Sequence, residues 1–505
     1  MLTDPVVLAS LLLRRSGRSF MKMGIAKEVF NELISFSSSA KEDSIVYAKV
    51  DAGTSTIRLV LVKNVVVAMV LENATGVKGL GNEILGQVIN LTNSDARIRV
   101  IANEIPISMV DQRFANRALE CYKKALLGPL LMWRRRGLYG FVIEDIISDK
   151  GAFTYVMLTR GADGARYALK VFRDTTPDGK PVVLNSSEKV RELTRSYIDV
   201  LKLWSLSEEE LRIVLAEHGY DPNYATKLRY YVRYLSIPRA LVVLRELLDR
   251  ATYVEAPPVV VEEYADMGDL EGYVKSKKLD LREVLYVMVR LCGALALAHL
   301  VGIVHLDVKP RNILLFSSNE EPYGYTPKIT DFSGARRLDR GYELRKITPG
   351  FADPVALIMG YADPSYDVYS LALTAIFSLK GSFPSHRLAV NSVILTELYG
   401  YPLSLEFVLE DPELSTFVKN LETMCASLKA GRVNKSKVLE ELDRLISKLD
   451  EKYIEELRSM PKLIVNVFRK ALSLDRSKRY KNCFEMLLEL ISALQSEGFR
   501  DLIPS

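Results

Sequence analysis

The run His305-Leu306-Asp307-Val308-Lys309-Pro310-Arg311-Asn312 decides how this chain is read. It sets a carboxylate, an ammonium and a carboxamide close together, and Asp331-Phe332-Ser333-Gly334 follows downstream. Ile303-Val304 precede it and Ile313-Leu314-Leu315 follow, so the polar groups are expected on a turn between apolar strands. Transfer of a phosphoryl group from ATP asks for these groups. One carboxylate orients the attacking hydroxyl. A second carboxylate and an amide hold Mg²⁺, and a cation stabilises the group in flight. A merely structural turn has no need of this combination.

The order HxDxKPxN followed by DFxG resembles the catalytic and magnesium loops of eukaryotic-type serine/threonine protein kinases. The likeness is to a prokaryotic- or archaeal-looking member of that family with an extra N-terminal domain. It implies that Asp307 orients the substrate hydroxyl and that Lys309 meets the transferred phosphoryl group. Asn312 and Asp331 are then the metal ligands, for Mg²⁺ or alternatively Mn²⁺, through the oxygen donors a hard cation prefers. His305 is expected to pack beneath the loop. Leu306 stands where most of the family has arginine. A buried arginine there needs a counter-charge, often a phosphate on the activation loop. Leucine needs none, so activity without activation-loop phosphorylation is expected.

On the nucleotide side, Asp149 to Val156 falls where the family carries a glycine-rich loop. Only Gly151 is kept; Asp149 and Thr154 occupy the other two glycine positions. Alone, the segment reads as a hairpin turn. Its place ahead of Tyr167-Ala168-Leu169-Lys170 makes Lys170 the expected ligand of the α- and β-phosphates, and a catalytic residue. Val259 to Leu270 resembles the hinge between kinase lobes. The expected nucleotide contacts are therefore Gly151, Phe153, Val156, Ala168, Lys170, Glu263, Ala265 and Asp269. Glu263 would present its carbonyl to adenine, Ala265 its N–H and carbonyl, and Asp269 its side chain to the ribose.

Glu262 falls at a position that is usually apolar or threonine, and a carboxylate in a dry pocket needs a partner. Lys170 needs one too. Counting back from Ser236-Ile237-Pro238 places the family's helix glutamate near residue 228, where Thr226 to Tyr231 contains no acid. Two readings stand. A displaced helix supplies Glu188, Glu192, Glu210 or Glu217, or Glu262 itself serves.

Thr348 to Pro354 resembles the substrate-docking segment, and Thr348 with Lys309 is the serine/threonine pairing. Val355 replaces that segment's usual terminal glutamate, while its arginine partner is kept as Arg479; Asp353 is the nearest substitute acid. Asp367 opens a long apolar helix and is expected to hold the catalytic-loop backbone. Arg311 disfavours basic substrates.

The 505 residues suggest more than one domain, and 48% hydrophobic content is enough for real cores. The fold class is α+β: a bilobal kinase-like fold over 138–500, preceded by a small α+β domain over 1–137 that reads as regulatory. The lobes are expected at 138–262 and 266–500, with a helical insertion at 405–465. In the N-terminal part, Ile45–Val50, Ser55–Leu61, Val65–Leu71 and Ile98–Ile101 read as strands. Asn82–Leu91 and apolar residues at helical spacing over 107–133 read as helices.

A net charge of +5 implies no nucleic-acid partner. Protein substrates are expected, and oligomeric state has no signature. The four cysteines lack CxxC spacing and read as reduced core thiols of a cytoplasmic protein. No uncharged apolar run reaches the ~18 residues of a membrane span. Arg134-Arg135-Arg136 reads as a solvated helix end in preference to a peripheral membrane contact. The depleted glycine loop and Glu262 leave a second reading, a pseudokinase or nucleotide-binding scaffold. A small-molecule kinase of related fold is a third, disfavoured by Thr348.

Overall fold

The computed structural model describes residues 17–41, 43–63, 65–92, 94–126, 128–149, 151, 154–173, 187–242, 253, 256–337, 347–401, 412–455 and 460–504, together with Thr3, Val7 and Leu11. The chain divides into two compact units, 1–189 with 242–260, and 190–241 with 261–505.

The first unit opens with β1 (Ser19–Ile25), α1 (Ala26–Ser38), β2 (Ser44–Ala52), β3 (Ser55–Val62), β4 (Val65–Asn73), β5 (Gly76–Leu80), α2 (Leu85–Thr92) and β6 (Arg97–Pro106). The strands form one antiparallel sheet in the order β1-β6-β2-β3-β4-β5. Alternation along β2 and β3 divides the sheet's faces. Val46, Ala48, Val50, Ile57, Leu59 and Leu61 pack with Ala26, Val29, Phe30 and Leu33, the i, i+3, i+4, i+7 stripe of α1. Ile45, Tyr47, Val60 and Val62 pack on the other side with Phe114, Ala115 and Ala118 of α3 (Gln112–Leu126). The β2–β3 turn uses Gly53 at φ +62°, which only glycine adopts without strain. The sequence reading missed β1 and α1 and cut β6 short. The helix expected from Asn82 begins as a tight 3₁₀ turn, Gly81–Ile84.

Helix α4 (Gly128–Arg136) leads into β7 (Val142–Ser148), β8 (Thr154–Arg160) and β9 (Arg166–Phe172), an antiparallel meander. Arg134 on α4 is exposed and lies 3.9 Å from Asp145.

The second unit contains most of α5 (Ser187–Ser205), then α6 (Glu208–Glu217), α7 (Ala225–Tyr230), β10 (Ala240–Val242), the end of β11 (Val259–Glu263), α8 (Leu270–Ser276) and α9 (Leu281–Leu300). Two short pairs follow: β12 (Ile303–Val304) with β15 (Arg336–Arg337), and β13 (Ile313–Ser317) with β14 (Tyr325–Ile329). Then come α10 (Pro354–Met359), α11 (Ser365–Lys380), α12 (Ser385–Tyr399), α13 (Pro412–Lys429), α14 (Lys435–Glu455), α15 (Lys462–Ala471) and α16 (Cys483–Ser496). Where described, the stretch 405–465 is mostly helical, with α13 and α14 joined by a turn at 430–434. Helix α9 is long and apolar enough to cross a membrane by composition alone, but its apolar window is wholly buried inside this unit. It is the axis of the core, packed by α11, α16 and Tyr231. Cys292, Cys425 and Cys483 are buried; Cys121 departs from expectation and is exposed.

Candidate active site

The catalytic run joins β12 to β13, and its backbone is strained where it turns. Leu306 is buried at φ +64°, a left-handed conformation that costs a non-glycine residue roughly 1–2 kcal/mol. Asp367, in the first turn of α11 and fully buried, offsets that cost. Its carboxylate accepts from the amides of His305 (2.7 Å) and Leu306 (2.8 Å) and from His299 Nε2 (2.9 Å). The Cys483 amide donates to His299 Nδ1 at 3.1 Å, so the proton of His299 lies on Nε2, facing Asp367. Asp307 N donates to His305 Nδ1 (3.2 Å), which turns the Nε2 proton of His305 toward the Thr330 carbonyl (2.9 Å). The His305 ring packs edge-on against Phe332, 4.6 Å between centroids.

This frame presents Asp307. Lys309 Nζ lies 2.9 Å from both of its oxygens. Thr348 Oγ1 donates to Asp307 Oδ1 at 2.7 Å and accepts from Lys309 Nζ at 2.9 Å, closing a triangle. Asn312 Nδ2 donates to the Asp307 carbonyl (2.8 Å) and to Oδ2 (3.0 Å), which fixes which end of the amide is its oxygen.

Asn312 and Asp331 stand on adjacent chain segments, because the Thr330 amide donates to the Asn312 carbonyl at 2.9 Å. Asp331 is at φ +62°, outside the strand geometry of β14. One amide oxygen and one carboxylate form a sparse hard-oxygen set. It fits Mg²⁺, which keeps water and phosphate oxygens as its other ligands. Among the described residues, no cluster of His, Cys, Asp and Glu offers a denser metal site.

Glu262 is buried and accepts from Thr330 Oγ1 at 3.2 Å. Tyr197, on α5, is buried near Glu262 and Asp331. Burial first, then the negative charges of Asp331 and Glu262, raise its hydroxyl well above the ordinary tyrosine value. Helix α5 is thus the one that reaches this part of the second unit. Residue 228 lies on α7, which with α6 stands between α5 and β10, and Leu228 sits in the core beside α9. Glu210 caps α6, where it accepts from the Ser207 amide and hydroxyl at 2.7 and 2.8 Å. The side chains of Glu188 and Glu192 lie outside the described residues.

In the hinge segment, Glu263 is paired with Lys328 at 2.7 Å. The Ala265 carbonyl accepts from the Gly268 amide at 3.3 Å, and Asp269 caps α8 by accepting from the Gly272 amide at 2.8 Å. Glu271, in the first turn of α8, holds Arg311 through two bonds of 3.0 and 3.2 Å. In the first unit, Lys170 is buried on β9 opposite Val156, and Ala168 opposes Leu158. Gly151 is described; Phe153 lies outside the described residues. Tyr197, Thr330 and His299 carry no signature in the sequence and emerge only from packing.

Val355 is buried and apolar, and Asp353 takes the role of the missing glutamate. It accepts from Arg479 Nη1 (2.7 Å) and Nη2 (3.2 Å), from Arg476 (3.2 Å) and from the Val355 amide (3.0 Å).

Comparison with known proteins agrees with this geometry. The family described as "Protein kinase domain" matches residues 240–481. Serine/threonine-protein kinase PknK of Mycobacterium tuberculosis is 37% identical over 142 residues, 27% of this chain and 12% of that protein. Serine/threonine-protein kinase ArnS of Sulfolobus acidocaldarius is 28% identical over 264 residues, 48% of this chain and 37% of that one. Myosin light chain kinase 2 of Bos taurus is 29% identical over 187 residues, 35% of this chain and 29% of that one. The chain therefore spans well under half the length of each of these relatives. The catalytic loop pinned by a buried aspartate, its carboxylate bridged to lysine and threonine, thus lies inside the stretch, 240–481, that is similar to protein kinase domains.

Proposed function

We propose that this chain transfers the γ-phosphate of Mg·ATP to serine or threonine hydroxyls of protein substrates. The observation that carries the reading is the triangle of Asp307, Lys309 and Thr348. It displays a hydroxyl already oriented on the carboxylate, with an ammonium beside it. A substrate hydroxyl held in that way would point its lone pair at the phosphorus. Lys309 would neutralise charge on the transferring group, and Asp307 would take the hydroxyl proton late, since an ordinary carboxylate is a weak base. Bound Mg²⁺, held by Asn312 and Asp331, would screen the polyphosphate charge. Lys170 would hold the α- and β-phosphates, with Gly151, Phe153, Val156, Ala168, Glu263, Ala265 and Asp269 around the nucleotide.

The reading includes two lobes, 138–262 and 266–500, with 1–137 as a regulatory domain and a cytoplasmic setting. Leu306 supports activity without activation-loop phosphorylation, because an apolar buried side chain calls for no phosphate. The test is incubation with labelled ATP and a generic protein such as casein. Acid-stable phosphoserine or phosphothreonine supports the reading. ATP binding with no transfer would leave a nucleotide-binding scaffold in its place.

A further inference from the structure

We propose that Arg173 is a positioning residue for the nucleotide loop, and that helix α4 is coupled to that loop through Trp133. The proposal rests on the reading of 149–154 as the loop that receives the phosphates.

That loop keeps one glycine of the family's three. Gly151 is required by a close approach, since a Cβ there would lie 2.6 Å from the Thr154 carbonyl oxygen. The freedom that further glycines would give is absent, and Arg173 supplies constraint in its place. It follows the last residue of β9 and is buried. Its Nη1 donates to the carbonyl of Asp149 at 2.6 Å and to that of Gly151 at 2.7 Å. Its guanidinium carbon lies 4.1 Å from the centre of the Tyr155 ring. A planar guanidinium between a ring and two carbonyls has few alternative poses. The two bonds fix the carbonyls of Asp149 and Gly151, and so the planes of the peptide units that carry them.

Three aromatic residues extend this clamp to α4. Trp133 is fully buried and meets the Tyr155 ring edge-on at 6.2 Å and the Tyr253 ring at 5.6 Å. Tyr253 donates its hydroxyl to the Phe172 carbonyl at 2.9 Å, one residue before Arg173. Trp133 therefore supports both the ring beneath the guanidinium and the tyrosine that fixes the backbone behind it. These residues all belong to the first unit. A shift of α4 has a direct packing route to the carbonyls of Asp149 and Gly151, so the state of the N-terminal domain sets nucleotide affinity.

The chain has two tryptophans, Trp133 and Trp204, and Trp204 is exposed. Trp204→Phe leaves Trp133 as the sole reporter. Titration with Mg·ATP should shift its emission, and Arg173→Met in the same background should abolish the response. In steady-state assays Arg173→Met should raise the KM for ATP about tenfold while kcat stays within about threefold, and Arg173→Lys should recover little, lacking the fork. An unresponsive Trp133 in protein that binds ATP overturns the coupling, and does so whether or not Arg173→Met folds. Wild-type KM in folded Arg173→Met overturns the clamp. Wild-type protein that neither binds nor turns over ATP removes the kinase reading and this proposal together.

Discussion

Asp353 and Arg479 form a two-bonded ion pair, 2.7 and 3.2 Å, with neither side chain reaching solvent. The acid is two residues ahead of the position where the family keeps a glutamate, and Arg476 and the Val355 amide complete its shell. Burial alone would raise the Asp353 carboxyl, but Arg479 and Arg476 outweigh it and hold it below the usual carboxylate value.

Removing one side of this pair should destabilise the second unit strongly. Asp353→Ala leaves a buried guanidinium unpaired, at a cost of ~3–5 kcal/mol. Urea unfolding of wild type and variant measures it, and a loss under ~1 kcal/mol would deny the pair its structural role. The pH dependence has a definite sign. The folded-state pKa is depressed, so the stabilisation is complete above the unfolded value, near 3.8, and is lost as pH falls through the lower folded value. Asp353→Asn should flatten the acid limb of the stability curve.

Leu306 predicts a phosphatase-resistant enzyme. Treatment with phosphatase should leave most of the rate. A drop of about tenfold or more, about 1.4 kcal/mol in the barrier, reversed by rephosphorylation within 335–348, would contradict this. Leu306→Arg places an unneutralised cation in a buried, left-handed position and should lower stability, read as a fall in Tm.

Glu262 bonds Thr330, the residue ahead of Asp331, so its loss should be felt at the metal. Glu262→Leu removes the acceptor of the Thr330 hydroxyl and should raise the Mg²⁺ concentration needed for half-maximal rate. Glu262→Gln keeps an acceptor and should do less. An unchanged Mg²⁺ requirement in both would disconnect Glu262 from the site. Glu262→Gln also addresses Lys170: increased labelling of Lys170 by amine probes assigns Glu262 as its partner, and unchanged labelling points to Glu188, Glu192, Glu210 or Glu217.

The catalytic loop was legible in the sequence because its chemistry is local. Asp307, Lys309 and Asn312 need only a turn between two strands to converge, and their spacing survives in the letters. Asp353 was legible for a similar reason, since a kept arginine implies a kept acid. Tyr197 was not, because α6 and α7 lengthen the chain between α5 and β10, and counting residues assumes no insertion. The clamp at Arg173 was not legible either. Side chains donating to backbone carbonyls leave no pattern in residue types, and Trp133 reads from the sequence as an ordinary apolar helix position. The edge strand β1 escaped because its Met21 and Met23 are exposed, which weakens the alternation that marks a half-buried strand.

The most direct test of the central claim is incorporation of labelled phosphate into protein by wild type and Asp307→Asn side by side, with circular dichroism confirming that both are folded. Asparagine keeps the shape of the side chain but lacks the charge that orients the hydroxyl and balances Lys309. The account predicts a loss of roughly 10²-fold or more, several kcal/mol of transition-state stabilisation, with ATP binding retained. Equal transfer by the two proteins would contradict it.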